Sequence, residues 1–224
     1  MAIEKTVFSA TAGANRLAEL RAWLAENATD YFDTVTEISS SSFYCKKDNK
    51  NVLRFITGSS QSIYTYLSNG SEKSWRCDSN FNADYAVKTS KGILLHTPSD
   101  ADTTSMPNSI YITKTQNDGL AIVVVGTLFD STDYNEYCSA DFEQTPSWAY
   151  YVRASKNADG LAEFKRNMHK TCEMTVLQPI PCKSSATYAV GLYHLFYNQY
   201  LNAEGIITAN GKNYYSNGYL ALEE

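Results

Sequence analysis

The sequence has little charge and no long hydrophobic run, and each absence excludes a class of protein. Charged residues make up 19% of the chain, against roughly 25% in an average soluble protein, and the formal net charge is −5. Such a chain offers a phosphate backbone no general electrostatic attraction, so we expect no nucleic-acid partner. No apolar run approaches the roughly 18 residues of a membrane span, and the first residues lack the order of a signal peptide. We expect a product of the cytoplasm with no membrane partner.

Cysteine pairs and metal-ligand spacings are absent as well. The cysteines are odd in number and include no C-x-x-C pair, which predicts neither a disulfide framework nor a zinc knuckle. The three histidines are far apart, and the acidic segment from Asp130 to Glu143 does not match an EF-hand loop. We therefore predict no metal site and no cofactor. The five cysteines read as small core residues: Cys45, Cys77, Cys138, Cys172 and Cys182.

The motifs that introduce common catalytic sites are also missing. The chain has no G-x-G-x-x-G, no G-x-x-x-x-G-K and no G-x-S-x-G segment. We predict no catalytic residue and a protein that is not an enzyme. A cysteine-dependent hydrolase stays open as an alternative, because the fold could still bring Cys138 or Cys172 to His169 or His194.

Residues 14–28 carry the pattern of one amphipathic helix. In the segment ANRLAELRAWLAENA, strong helix formers surround an apolar stripe at helical spacing: Leu17, Leu20, Leu24 and Ala28. The opposite face carries Glu19 and Glu26 and is not basic. We therefore expect the stripe to pack on a sheet and not on a membrane.

After Phe32 the hydrophobic period changes to two, and turn residues separate short alternating runs. This pattern predicts a series of antiparallel hairpins, in which the segment Lys46–Lys50 has the composition of a hairpin loop. The strand that contains Ile63 should fold back on the segment around Trp75. The run from Leu120 to Val125 is nearly all apolar, which predicts a central strand that is covered on both faces.

The second half of the chain is less regular until it approaches its end. The pattern predicts a short helix over residues 159–170, a strand over 174–177, and either a helix or a strand over 186–200. Asn-Gly pairs at positions 210 and 217 then predict a three-strand meander from Ile206 to Leu222 that buries Leu220 or Leu222.

These elements together predict an α+β fold. The N-terminal helix and one or two further helices pack on antiparallel sheet that is built from consecutive hairpins. A break near Gly126 would give two lobes. Residues 1–126 would then form a helix and a β-meander, and residues 127–224 a mixed lobe that ends in the three-strand meander. One undivided domain is the alternative.

Tyrosine is present in excess, with 17 copies. Its ring has an apolar body and a polar tip, which suits protein or glycan contact surfaces, although strands are enriched in aromatic residues in any case. Six residues are our candidates for an interface or a ligand contact: Trp148, Tyr150, Tyr151, Tyr214, Tyr215 and Tyr219.

The C-terminal segment carries a family resemblance. Thr175–Pro181 is followed by an aromatic-rich stretch, by the segment GIITANGKNY that begins at Gly205, and by SNGYLAL that begins at Ser216. This order resembles the ends of small virion structural proteins from tailed phages and prophages. In that group a chain commonly closes with a strand, an Asn-Gly-Lys turn, a tyrosine and a final glycine-led strand. The opening Met-Ala-Ile-Glu-Lys and the polar, tyrosine-rich composition are similar too.

The resemblance implies a non-enzymatic structural protein of a phage or prophage particle, located in the tail, the baseplate or the head. Its partners would be copies of itself and other virion proteins, bound through tyrosine-rich faces of low charge. A carbohydrate-binding β-module, with a glycan as its partner, is an alternative from another class, because exposed aromatic rings also serve as stacking platforms for sugars.

Overall fold

The structure is a computed structural model of the 224-residue chain. It describes the following residues: 2–11, 13–58, 61–66, 72–76, 83–97, 108–114, 120–128, 133–140, 149–155, 177–183, 189–198, 204–209, 211–217 and 220–224.

The described residues form one α-helix and seventeen β-strands, and every strand pair is antiparallel. In chain order the elements are β1 (Glu4–Val7), α1 (Ala14–Asn27), β2 (Thr34–Ser39), β3 (Ser42–Lys47), β4 (Lys50–Ile56), β5 (Gln61–Tyr66), β6 (Glu72–Arg76), β7 (Tyr85–Lys88), β8 (Gly92–Thr97), β9 (Asn108–Lys114), β10 (Leu120–Leu128), β11 (Asp133–Ala140), β12 (Ala149–Ser155), β13 (Leu177–Lys183), β14 (Ala189–Asn198), β15 (Glu204–Ala209), β16 (Lys212–Asn217) and β17 (Leu220–Glu223). This strand-rich α+β arrangement confirms the predicted fold class.

Helix α1 forms where the apolar periodicity predicts it. It begins after Gly13, whose φ of 98° favours a residue without a side chain. Its stripe is buried, with Leu17, Leu20 and Leu24 each at most 3% exposed. The amide of Ala28 closes the last turn by donating to the carbonyl of Leu24. No helix within the described ranges is both long enough and apolar enough to cross a membrane.

The first sheet curves around this helix. Its strands follow the order β1-β7-β8-β9-β10-β6-β5-β4-β3-β2, while β11 pairs with β10 and β12 with β11. One apolar core joins the helix stripe to Phe43 and Phe55 from one half of the sheet and to Leu95 and Ile110 from the other half. Both halves of the sheet therefore pack on the same helix. Strands β1 and β2 are the first and last strands of this order.

The predicted antiparallel hairpins are present, although only Asp48 and Asn49 of the segment Lys46–Lys50 lie between strands. Ile63 of β5 lies opposite Trp75 of β6. Between β3 and β4, Asp48 and Asn49 have φ values of 50° and 60°, the positive pair that a two-residue type I′ turn requires. In β10, the residues Ala121–Val124 are at most 2% exposed, as expected for a strand that is covered on both faces.

The second sheet contains the five C-terminal strands in the order β13-β14-β17-β16-β15. It includes the predicted three-strand meander, and Leu222 is fully buried. Leu222 lies over Gly92 of the first sheet, where a Cβ atom would come within 2.8 Å of both Leu222 Cδ1 and the Ile112 carbonyl oxygen. The absence of a side chain at Gly92 thus lets the two sheets pack closely.

Some predictions differ from the structure, and others concern residues outside the described ranges. Gly126 lies inside β10, where it pairs with Asn135, and the chain changes sheet between Ser155 and Leu177. The division into two lobes stays a prediction. The helix predicted over 159–170 lies outside the described residues. The ambiguous segment 186–200 contains a strand, β14.

Candidate functional site

A buried polar cluster lies where the two sheets meet. Tyr85, His96 and Ser109 lie opposite one another on β7, β8 and β9. The rings of Tyr85 and His96 are 4.9 Å apart between centroids, and His96 Nδ1 lies 2.9 Å from Ser109 Oγ. The strand register therefore brings a phenol, an imidazole and a hydroxyl side by side on one face of the first sheet.

The second sheet completes this cluster. The Tyr85 hydroxyl donates a hydrogen bond of 2.7 Å to Glu204 Oε1 on β15, and the Tyr85 ring meets the Tyr215 ring edge to face at 6.1 Å. Lys5 Nζ on β1 lies 3.8 Å from the centroid of the Tyr85 ring, a cation–π contact. Tyr85 on β7 thus contacts β1, β15 and β16.

Burial sets the electrostatics of the cluster. His96 is 3% exposed and Ser109 is 1% exposed. Burial lowers the pKa of His96 to about 4, because the charged imidazolium would lose its hydration. Burial also raises the pKa of Tyr85, and its hydrogen bond to Glu204 adds to that shift. The imidazole is neutral at pH 7, and the depth of Ser109 keeps a substrate from its hydroxyl. The cluster therefore serves to hold the two sheets together.

A second ionic group lies in the C-terminal sheet. Glu223 on β17 accepts from Lys212 Nζ at 2.5 Å and lies 3.4 Å from His194 Nδ1. Burial by itself would raise the pKa of Glu223, but the hydrogen bonds and charges of these two partners outweigh it, and the pKa is lowered. The Glu223 backbone carbonyl accepts from Thr89 Oγ1 at 2.6 Å. This group also ties the second sheet to the first.

The outer face of the first sheet presents planar side chains away from the helix core. Tyr44, Arg54 and Tyr64 lie directly opposite one another on β3, β4 and β5, and all three are partly exposed. Arg54 Cζ lies 5.2 Å from the Tyr44 ring centroid and 5.4 Å from that of Tyr64. We call this set the Tyr-Arg-Tyr row.

The strands at the ends of the sheets carry the large apolar side chains that remain in solvent. Among the described side chains, the exposed large hydrophobic residues are Val7 (67%), Ile38 (47%) and Ile206 (63%). They lie on β1, β2 and β15, which end the first sheet's path at its two sides and the second sheet at one side.

The structure places only part of the aromatic set proposed from the sequence. Tyr214 and Tyr215 are each 4% exposed and so offer little area to a partner. Tyr150 and Tyr151 lie on β12. Trp148 and Tyr219 lie outside the described residues, so the contact role of the set stays a prediction.

The cysteine whose side chain is described is not poised for chemistry. Cys45 is fully buried and free, and burial raises the pKa of its thiol, which disfavours the nucleophilic thiolate. Cys138 and Cys182 lie on β11 and β13, while Cys77 and Cys172 lie outside the described residues. Within those residues no group of three or more His, Cys, Asp or Glu side chains could hold a metal ion.

Comparison with known proteins gives no further guide. No family model matches the sequence, and no curated protein or solved structure matches it either. The functional conclusions below therefore rest on the sequence and on the geometry described above.

Two tyrosine hydroxyls should respond in opposite ways to removal. Replacing Tyr85 with Phe removes the hydrogen bond to Glu204 and should lower the free energy of unfolding by about 1 kcal/mol. The Tyr66 hydroxyl is buried and has no described partner within hydrogen-bond distance, although Tyr44 and Glu72 lie close enough to raise its pKa, so Tyr66→Phe should leave stability unchanged or raise it by up to about 1 kcal/mol. Urea unfolding of both variants checks this pair, and equal losses would contradict it.

Proposed function

We propose that the protein is a non-enzymatic structural subunit of a phage or prophage particle. It acts by associating with copies of itself or with other virion proteins of the tail, the baseplate or the head. The resemblance of the C-terminal segment suggested this role, and the exposed strand edges support it.

The edges carry the proposal because, among the described strands, β1, β2 and β15 end their sheets and each exposes one large apolar side chain. A strand at the edge of a sheet presents free backbone N–H and C=O groups, and monomeric proteins usually protect such edges with charge, proline or bulges. Here β15 ends the second sheet with Ile206 at 63% exposure, and β1 ends the first sheet with Val7 at 67% exposure. Edge-to-edge pairing would bury these side chains and satisfy the backbone groups together.

The buried clusters add support of a different kind. Tyr85 donates to Glu204 of the second sheet, and Thr89 donates to the Glu223 backbone carbonyl of the same sheet, so polar contacts hold one sheet against the other. A subunit of a repeated assembly needs this kind of rigid β framework, because a rigid contact surface loses little conformational entropy when it binds.

Purified particles provide the test. Particle production is induced in the source strain, the particles are separated on a density gradient, and this chain is sought by peptide mass spectrometry. We expect it in the particle band. A triple variant, Val7→Lys, Ile38→Lys and Ile206→Lys, places a charge on each edge and should shift the chain to the soluble fraction.

The matched control adds the same three charges away from the edges. Ala22, Ala25 and Thr29 are exposed on or beside α1, so the variant with lysine at these three positions should remain in the particle band. Absence of the natural chain from particles while it is abundant in the soluble fraction would refute the structural role. An equal response of the edge variant and the control would refute the edge contacts.

A further inference from the structure

We infer that the Tyr-Arg-Tyr row, formed by Tyr44, Arg54 and Tyr64, is a binding surface for an acidic sugar chain. The juxtaposition that carries this inference is a partly buried guanidinium that lies between two tyrosine rings and has no carboxylate partner among the described side chains. The row lies on the outer face of the first sheet, whereas the contacts that we assign to assembly lie along strand edges.

Among the described residues, Arg54 forms no ion pair, unlike the other arginines whose side chains are described, and Glu72 acts on Tyr64 of the row without pairing with Arg54. Arg16 pairs with Asp84 at 3.0 Å, and Arg21 pairs with Glu37. Arg54 instead donates from Nε to Ser42 Oγ at 3.1 Å. A partly buried cation without a counter-ion is costly to keep, so the position favours a ligand that supplies a negative charge.

The geometry of Arg54 suits a carboxylate in particular. Its Nε is already bound, and the tyrosine rings lie beside the guanidinium group. The terminal Nη1 and Nη2 groups remain to form the paired, parallel hydrogen bonds that a guanidinium makes to a carboxylate. The flanking rings hold the fork in place, so little side-chain entropy is lost on binding.

The described surroundings of the row are polar and carry charges of both signs. Lys46 follows Tyr44 by two residues on β3, while Glu72 lies opposite Tyr66 beside the row. Thr36 lies opposite Tyr44 and extends the row to the edge strand β2.

The arrangement favours a glycan over a polypeptide. A peptide strand binds at a free sheet edge, where backbone groups are available, but the row lies on a face, where the ladders already use the backbone of β3, β4 and β5. From Thr36 to Tyr64 the row crosses four neighbouring strands, a length of roughly 14 Å at the usual strand spacing. That length accommodates more than one sugar ring, with a uronic carboxylate on Arg54 and the neighbouring sugar rings in contact with the exposed parts of the row.

The test measures binding of the purified protein to uronic-acid polymers by isothermal titration calorimetry. The probes are hyaluronate, alginate and polygalacturonate, with dextran as the neutral polymer and poly-L-glutamate as the acidic polypeptide. We expect at least one uronic polymer to bind with an affinity that falls as salt rises, and neither dextran nor poly-L-glutamate to match it. Arg54→Gln should lower that affinity by about tenfold or more.

Two further variants separate the charge of Arg54 from its shape. Arg54→Lys keeps the charge but loses the planar fork, so it should recover only part of the affinity. Arg21→Gln removes the same charge from a paired site elsewhere and should bind as the natural protein does.

Failure of all three uronic polymers to bind, or an unchanged affinity in Arg54→Gln, would overturn the inference. Equal binding of poly-L-glutamate would assign the row to an acidic protein partner instead. Binding by a protein that is monomeric in solution would separate this site from the assembly role.

Discussion

A chain that lacks residues 205–224 is expected to lose most or all of its folding stability. The deletion removes nearly all of β15 and the whole of β16 and β17, and with them the buried side chains of Tyr214, Tyr215 and Leu222. Each such side chain contributes roughly 1.5–3 kcal/mol when it is buried, and the whole of a typical domain's stability is only about 5–15 kcal/mol. The deletion also leaves β14 without its partner β17 and exposes the face of the first sheet around Gly92.

Equilibrium unfolding in urea and the near-ultraviolet circular dichroism spectrum measure this effect. Leu222→Ala provides a graded version that keeps every strand, with an expected loss of roughly 2–5 kcal/mol. Ile206→Ala is the control, since Ile206 is 63% exposed on the same sheet and should change stability by less than about 0.5 kcal/mol. An unfolding curve that the deletion leaves unchanged would refute the placement of the meander over the first sheet.

The parts of the fold that the sequence predicts are those set by local rules. The stripe of α1 follows from the period of its leucines, and the burial of Leu17, Leu20 and Leu24 confirms it. The hairpins follow from turn chemistry. Ala209 pairs with Lys212 across a two-residue connection, in which Gly211 has a φ of 75°. These features depend on neighbours in sequence, so a pattern of a few residues determines them.

The order of the strands could not be predicted in the same way. Strand β10 pairs with β9 beside it in sequence but also with β6, and β14 lies between β13 and β17. A strand that is covered on both faces loses the alternation of apolar and polar residues, so its sequence does not indicate which strands lie beside it. Pairing between distant strands depends on the packing of the whole core.

The sequence also does not predict which of the candidate contact tyrosines are exposed. Tyr214 and Tyr215 are adjacent on β16, so their side chains point to opposite faces of the sheet, yet both are buried. Tyr214 packs with Ala221 in a small core, and Tyr215 faces Tyr85 of the first sheet. Composition marks tyrosine as unusual here but does not separate a tyrosine that is covered on both faces from one in solvent. The Tyr-Arg-Tyr row is likewise recognisable only once the register of β3, β4 and β5 is known.

His96 should make the protein sensitive to mild acid. Its pKa is about 4 in the folded protein and 6.5 without burial, so between these two values the unfolded chain binds more protons than the folded one. Stability from this residue is therefore fully present above pH 6.5 and is lost as the pH falls toward 4. The carboxylates of Glu204 and Asp84 oppose the shift and Lys5 supports it, but burial is the largest cause.

The expected loss from this residue is about 2 kcal/mol between pH 7 and pH 5, and about 3 kcal/mol once the pH is below 4. His96→Asn is the informative variant, because an amide can keep a hydrogen bond to Ser109 but does not titrate in this range. Urea unfolding at pH 7, 6 and 5 should show a slope for the natural protein that the variant lacks. The pKa of the Glu223 carboxylate is lowered, so the stability that this group contributes is lost only at a lower pH. The loss of stability in the upper part of the range between pH 7 and pH 5 is therefore due to His96. If the variant loses as much stability between pH 7 and pH 5 as the natural protein does, His96 is not the group that titrates.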